Sequence, residues 1–259
     1  MQLSAILRQS PLALAGKMVR RSIFAVRTGY WHTCERSCPG FPDGILLNDQ
    51  KVYRFAAQFC GGGRILDVGC GTGHGTSHLA ESATTAVGID LSAQAIRYAR
   101  RQYRSPNLRF LRMNAESLAF PDRNFDFIIT SENLEHLHDQ RANIREMARV
   151  LTDEGMLLLA TPNREMFLDG TSPYHTHEFF YDELLELMQE FFGECVISEN
   201  LLTPSTEEGQ RTRKGRQGKG LWGINLSVDP ILWSKAVDIT WLSNTHSFFC
   251  FARKPRRRA

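Results

Sequence analysis

The chain has 259 residues and a hydrophobic content of 42%, enough to bury one substantial core with some additional structure around it. No apolar stretch reaches the length needed to cross a bilayer, so the composition argues against an integral membrane protein. The six cysteines form no paired framework, and Cys70 lies in a glycine-rich turn where a disulfide would be obstructive. We therefore expect a reducing compartment, the cytoplasm.

The formal net charge of +3 conceals an uneven distribution of charge. Residues 1–34, 211–219 and 253–258 each carry five basic residues and no acidic residue, so the rest of the chain has 16 bases against 28 acids. Clustered cations favour a phosphate-rich partner or an anionic membrane, but they are also common as solvated decoration. Periodic apolar residues in the first stretch make peripheral contact with an anionic membrane one expectation for it.

Apolar strand patterns alternate with helical patterns through the middle of the chain, which predicts a parallel sheet with helices on both faces. In chain order, we expect a helix over 48–59, a strand ending in Asp67, a helix over 76–81 and a strand over 86–90. A helix capped by Ser92, a strand over 127–131, a helix over 143–151 and a strand over 156–160 follow. The last elements are a helix over 183–192 capped by Asp182 and a strand near 247–252.

The most informative pattern is the glycine-rich run that follows the first strand. Glycines at 69, 71, 73 and 75 allow backbone N–H groups to approach a ligand closely, and the next strand ends in a second acid, Asp90. A dinucleotide site requires a third glycine at position 74, but His74 stands there. Asp67 would also oppose a pyrophosphate, whereas a cationic ligand would be attracted by it.

These residues resemble motif I of the class I S-adenosylmethionine (SAM) methyltransferases, an acid followed by Gly-x-Gly-x-Gly. The order of later segments is also similar to methyltransferase type 11 proteins, in particular the ubiquinone-pathway O-methyltransferases and bacterial saccharide or small-molecule methyltransferases. The resemblance implies a Rossmann-like, seven-stranded, mostly parallel sheet with an antiparallel last strand. It implies SAM as cofactor, with these binding residues: Asp67, Gly69, Cys70, Gly71, Gly73, Asp90, Leu91, Asn114, Ala115, Glu116 and Ser131.

A division into four segments follows from composition and from the resemblance. We expect a basic N-terminal extension over 1–45, a SAM-binding core over 46–202, an insertion over 203–245, and the last strand with a basic tail over 246–259. The insertion combines a glycine- and arginine-rich half with a tryptophan-bearing half. Segments of this kind often cover a ligand crevice, so it can shape the acceptor site.

Two interpretations compete for the residues at the end of the fourth strand. In one, His136 is the general base that accepts a proton from the methyl acceptor. In the other, Glu132, Glu135 and His136 bind a divalent, Mg²⁺-like cation, completed by His177 or, as a weaker choice, His175. That Glu-x-x-Glu-His string resembles metal-dependent ubiquinone-pathway and small-RNA 2′-O-methyltransferases. A third interpretation gives His136 only local hydrogen bonds.

The sequence therefore predicts a SAM-dependent enzyme that methylates a hydroxyl of a small molecule or saccharide. The alternatives are a metal-dependent RNA 2′-O-methyltransferase and a catalytically silent SAM-fold binding subunit. Aromatic residues are not interleaved with the basic stretches, which argues against a nucleic-acid partner without excluding it. The acceptor, the methylated atom and the oligomeric state are left open.

Overall fold

A computed structural model describes residues 44–166, 172–198 and 247–256. Within these ranges the chain forms one seven-stranded sheet in the order β3-β2-β1-β4-β5-β7-β6. The strands are β1 Arg64–Val68, β2 Thr85–Asp90, β3 Leu108–Arg112, β4 Phe125–Ser131, β5 Leu151–Pro162, β6 Phe192–Ser198 and β7 Ser247–Pro255. Strands β1 to β5 pair in parallel, whereas β7 runs antiparallel to both of its neighbours, β5 and β6.

Five α-helices connect or flank the strands of the described ranges. They are α1 Gly44–Ala56, α2 His74–Leu79, α3 Ala93–Gln102, α4 Gln140–Val150 and α5 Tyr181–Phe191, with short 3₁₀ turns at Ala57–Phe59, Leu134–His136 and Arg164–Met166. Among these helices, none combines the length and apolar character that crossing a bilayer requires.

The core lies on both faces of the sheet because side chains alternate along each strand. On β4, Phe127 and Ile129 pack against α1 on one face. Ile128 faces the opposite side, where it joins residues of α4 and α5 such as Met147 and Met188. The strands are therefore covered on both sides, and the carboxyl ends of the parallel strands form the edge at which sheets of this kind bind ligands.

The predicted fold class is confirmed, and most predicted elements lie close to their observed positions. Ser92 is the N-cap of α3, and its hydroxyl accepts a hydrogen bond from the Ala95 N–H at 3.2 Å. The cap predicted at Asp182 is wrong, because α5 begins at Tyr181 and Phe180 is its N-cap. At the start of this helix, the Glu183 carboxylate accepts a hydrogen bond from the Phe180 N–H.

Several predictions concern residues outside the described ranges. The basic stretches 1–34 and 211–219 lie there entirely, as does the insertion over 203–245. The domain boundaries and the membrane contact of the N-terminal segment therefore stay predictions.

Candidate active site

The glycine loop connects β1 to α2 with three residues in the left-handed region. Gly69, Gly71 and Gly73 have φ values of 81°, 54° and 85°. A side chain at Gly69 would collide with Asn133, and one at Gly73 would lie 2.7 Å from the Ala99 Cβ and the Phe110 ring. Both glycines are required by packing as well as by backbone conformation.

Gly71 differs from its neighbours, because an added Cβ there would meet no atom within 4 Å. Its open side faces away from the protein core, and its N–H donates to the Asp90 carboxylate at 3.0 Å. The loop thus exposes backbone at Gly71 where a ligand can approach it without steric obstruction. This geometry fits a bound cofactor better than a purely structural turn.

Asp67 lies beneath the loop rather than on the surface of the cleft. It is fully buried and accepts hydrogen bonds from the Thr76 hydroxyl at 2.6 Å and the Tyr53 hydroxyl at 3.0 Å. Burial raises the pKa of Asp67 from 3.8 to about 7, against the opposing effect of these two hydrogen bonds. The residue therefore joins β1, α1 and α2, and any influence on a ligand acts through the loop.

Asp90 and Leu91 end β2 beside Gly71. The Asp90 carboxylate accepts from the Gly71 N–H and, at 2.7 Å, from the Ser92 N–H, which fixes its orientation. Leu91 is 63% exposed, unusual for a large apolar side chain in this fold. An oriented carboxylate next to an exposed apolar surface suits a ribose with its attached adenine.

The predicted adenine-side segment 114–116 is held mainly by internal contacts. Asn114 accepts from the Glu116 N–H, and the Ala115 carbonyl accepts from the Asn143 side chain. The Glu116 carboxylate accepts from two backbone N–H groups, those of His138 and Asp139, at 2.8 and 2.9 Å. Glu116 therefore anchors the start of α4.

Strand β4 delivers polar residues to the same edge of the sheet. The Ser131 hydroxyl is buried and has no hydrogen-bond partner in the described part of the chain. Glu132 has a φ of 49°, a strained conformation for a residue with a side chain, and its carboxylate accepts from Ser247 at 2.7 Å. This carboxylate is solvent-accessible, yet the surrounding protein desolvates it enough to raise its pKa. An unpaired hydroxyl beside a residue with a strained backbone indicates a ligand-binding edge.

Glu135 is buried deeper, with 1% of its surface exposed. One carboxylate oxygen accepts from the Thr161 hydroxyl at 3.0 Å, while the other has no hydrogen-bond partner among the described residues. Burial, and then the nearby Glu132, raise the pKa of Glu135 well above its ordinary value. A buried carboxylate with an unused oxygen is costly unless a cation or proton joins it.

Two imidazoles lie against these carboxylates. The Nδ1 of His136 is 3.0 Å from the Tyr174 carbonyl, and that of His175 is 2.5 Å from the buried carboxylate of Glu178. Because a carbonyl and a carboxylate accept hydrogen bonds, each Nδ1 carries the hydrogen and each Nε2 carries the proton-accepting lone pair. The two rings are 4.9 Å apart in an edge-to-face arrangement.

The structure brings Glu135, His136 and His175 together, with one potential ligand atom from each within 4.8 Å of the others. His177, the first choice for this set, lies elsewhere: it is half exposed, and its Nε2 is 3.3 Å from Glu183. In this structure the group therefore contains His175 and not His177, and the metal-binding role of either histidine stays a prediction. Glu178 was overlooked, although its spacing of three residues from His175 is a usable signal.

Three comparisons place this geometry among known proteins. Residues 66–159 match the family model described as "Methyltransferase domain". A protein from Mycobacterium tuberculosis named "probable S-adenosylmethionine-dependent methyltransferase" is 35% identical over 143 residues, which cover 54% of this chain and 52% of that protein. A fatty-acid O-methyltransferase from Mycolicibacterium smegmatis is 39% identical over 130 residues, covering 45% and 47%.

Among solved structures, the YcgJ protein from Bacillus subtilis is similar in fold, with a TM-score of 0.52 and 18% identity over 83% of this chain and all of that one. The chain spans about half the length of the two curated relatives described above. The fold, the glycine loop and the family match together resemble those of class I SAM-dependent methyltransferases. Residues 66–159 are therefore similar to a methyltransferase domain, and the relative from Mycobacterium tuberculosis is named as SAM-dependent.

Proposed function

We propose that the whole protein is a SAM-dependent methyltransferase that transfers a methyl group to a hydroxyl of a small molecule or saccharide. The observation that carries the proposal is the position of two proton-accepting imidazoles, His136 and His175, at the ligand-facing edge of the sheet. The loop that exposes Gly71 follows β1, the strand next to β4 in the sheet. A cofactor pocket beside a general base is what O-methylation requires.

The glycine loop and the ends of β1, β2 and β4 would bind the cofactor. Gly69, Cys70, Gly71 and Gly73 supply backbone, Asp90 suits the ribose hydroxyls, and Leu91 suits one face of the adenine. Asp67 supports the loop from below, and Ser131 offers an unused hydroxyl. When bound, SAM supplies an electrophilic methyl carbon on a sulfonium. Its positive charge is compatible with the acidic environment of this edge.

The remaining chemistry is positioning and proton removal. His136 is the proposed base because a third of its side chain is exposed, whereas His175 is more enclosed. A proton from the acceptor hydroxyl would bind at His136 Nε2, which is 3.8 Å from a Glu135 oxygen. The surrounding carboxylates stabilise the resulting imidazolium. Glu178 holds His175 against the His136 ring, so His175 is the positioning residue of the pair.

A small-molecule acceptor is supported by the named activities of relatives, although a fatty acid accepts a methyl group on its carboxylate and not on a hydroxyl. The fatty-acid O-methyltransferase and a phthiotriol/phenolphthiotriol dimycocerosates methyltransferase of Mycobacterium tuberculosis point to apolar acceptors. The contact between Ser247 and Glu132 supports a role for residues 203–245 at the acceptor site, since the chain re-enters the described fold at that point.

Calorimetric titration with SAM and a methyl-transfer screen with labelled SAM test the proposal. The acceptor panel would contain hydroxylated lipids, phenols and saccharides. SAM binding with transfer to one of them is the expected result. Binding without transfer to any acceptor would favour the silent subunit, and absence of SAM binding would contradict the assignment.

A metal-dependent reaction is the second candidate, and the cluster of Glu135, His136 and His175 favours it. Its two nitrogens and carboxylate oxygen suit a divalent cation, which would lower the pKa of an acceptor hydroxyl. Under this candidate, Glu132 would complete the set. Transfer that stops with EDTA and returns with Mg²⁺ or Mn²⁺ would support it. RNA 2′-O-methylation would require, in addition, RNA binding that weakens steeply with salt.

A further inference from the structure

Six exposed arginines lie around the β3 edge of the sheet, remote in sequence from the three basic stretches. All six are exposed, and residues 91–115 contain no acid. We call this surface the arginine face; its members lie on α3, on the turn that follows and on β3, and they are Arg97, Arg100, Arg101, Arg104, Arg109 and Arg112.

The arginine face has no internal counter-charge. None of its members forms an ion pair within the described ranges, and three of them donate only to backbone carbonyls. Three other exposed cations of the same structure are paired: Arg123 with Asp153, Arg141 with Glu190 and Lys254 with Glu194. Six unpaired guanidiniums repel one another, and an external anion would relieve that repulsion.

The surface is concave in its centre. Arg100, Arg104 and Arg109 border an open groove of about 580 Å³, whose floor includes the buried side chains of Leu108 and Phe110. A guanidinium has five N–H donors in a planar fork, so those that bind one carbonyl keep further donors for a phosphate. The groove therefore suits phosphate groups presented side by side.

The structure also distinguishes among anionic partners. Arg100 donates to the Phe110 carbonyl on the edge strand at 2.8 Å, which obstructs addition of a partner's β-strand. Phe110 is buried and Tyr103 packs against it, so neither ring is available to stack on an unpaired base. A lipid surface needs neither a free strand edge nor an exposed ring.

We propose that the arginine face docks the protein on an anionic phospholipid membrane, through the phosphates of several headgroups. Each basic residue close to such a surface contributes about 1 kcal/mol, so a few arginines acting together give measurable binding. The interaction is electrostatic and weakens as salt shortens the Debye length to below 10 Å. It is independent of which acceptor the enzyme methylates.

Co-sedimentation of the full chain with vesicles tests the proposal. The protein is expected to bind phosphatidylcholine vesicles that contain phosphatidylglycerol and not vesicles of phosphatidylcholine alone. The variant Arg97→Gln/Arg101→Gln/Arg104→Gln removes three arginines whose side chains make no hydrogen bond or ion pair within the described ranges, and should weaken binding about 100-fold. The control Arg123→Gln/Arg141→Gln/Lys254→Gln lowers the net charge equally and should bind as the unmodified protein does.

Three results would overturn the proposal. Unchanged binding of the arginine-face variant would assign the membrane contact to other basic stretches, and equal losses in both variants would show a net-charge effect. Preference for duplex or single-stranded nucleic acid in competition with vesicles would make the partner a nucleic acid. Because vesicle binding is measured without SAM, and SAM titration of the same variant should be unchanged, failure here is distinguishable from failure of the proposed enzyme activity.

Discussion

The cleft, by which we mean the ligand-facing edge of the sheet around Glu135, His136 and His175, differs from the arginine face in how its charges are arranged. In the cleft, buried Glu135 and Glu178 lie against two imidazoles, and neighbouring hydroxyls and backbone groups orient the carboxylates. On the arginine face, six cations are exposed and lack any carboxylate partner in the described part of the chain. Oriented, desolvated charge suits chemistry on a small ligand, whereas exposed, unpaired charge suits a partner that brings its own counter-charges.

Replacement of the base should have the largest effect on the cleft side of this comparison. His136→Asn is expected to lower the transfer rate roughly 100- to 10,000-fold while SAM affinity changes little, because the ring acts on the acceptor proton. The measurement is transfer from labelled SAM to the acceptor found by screening. His177→Asn is the matched control, since His177 pairs with Glu183 outside the cluster. Equal losses in both variants would remove His136 from its proposed role.

Substitutions at Gly71 and Gly73 distinguish an effect on ligand binding from an effect on folding. Gly71→Ala should weaken SAM affinity about 100-fold, equivalent to about 3 kcal/mol, while it costs only about 1 kcal/mol of stability. Gly73→Ala should cost about 3 kcal/mol of stability, because strain and a collision with Ala99 and Phe110 add together. Calorimetry and urea unfolding measure the two effects. Similar stability losses for both variants would contradict an open, ligand-facing Gly71.

The pH dependence of stability tests the burial of Asp67. Its pKa is about 7 in the folded protein and 3.8 as a free side chain, so between these values the unfolded chain releases a proton that the folded protein retains. Its contribution to stability is complete below pH 4 and is lost as the pH rises through 7. Unfolding free energies of the unmodified protein, relative to Asp67→Asn, should therefore fall by a few kcal/mol from pH 4 to pH 8. A constant difference would mean that Asp67 is ionised in the folded state.

The smallest effect concerns the arginine face. Arg97→Glu places a negative charge three and four residues before Arg100 and Arg101 on α3, so that repulsion at these two spacings becomes attraction. The substitution should stabilise the fold by about 0.5 kcal/mol at low salt. Thermal unfolding at two salt concentrations measures this gain, which should shrink as salt rises. Arg123→Glu, which breaks the pair with Asp153, should destabilise under the same conditions. A loss of stability in Arg97→Glu would contradict unrelieved repulsion on this face.

The parts of the molecule that sequence patterns predicted are those whose contacts are local. Gly71 and Asp90 are separated by a single helix, and the strand–turn–helix pattern brings them together without knowledge of the rest of the chain. The same holds for Ser92, whose cap bond spans three residues. Such contacts follow from local backbone geometry.

The choice between His175 and His177 could not be made in this way. The Glu135 carbonyl accepts hydrogen bonds from the Thr176 N–H and hydroxyl, which orients the turn that carries both histidines. That contact spans 41 residues and depends on how β4 lies beside β5. The arginine face was likewise overlooked, since its members become one surface only when α3 packs beside β3.

The position of β7 has a consequence for engineering. Strands β6 and β7 are adjacent and antiparallel, and Ser198 lies opposite Phe249, so the chain leaves the sheet and re-enters it at neighbouring points. Two adjacent antiparallel strands are thus joined in sequence by residues 199–246. A short designed turn could join β6 to β7 without a change in strand order, which would leave a minimal seven-stranded scaffold onto which other segments can be grafted.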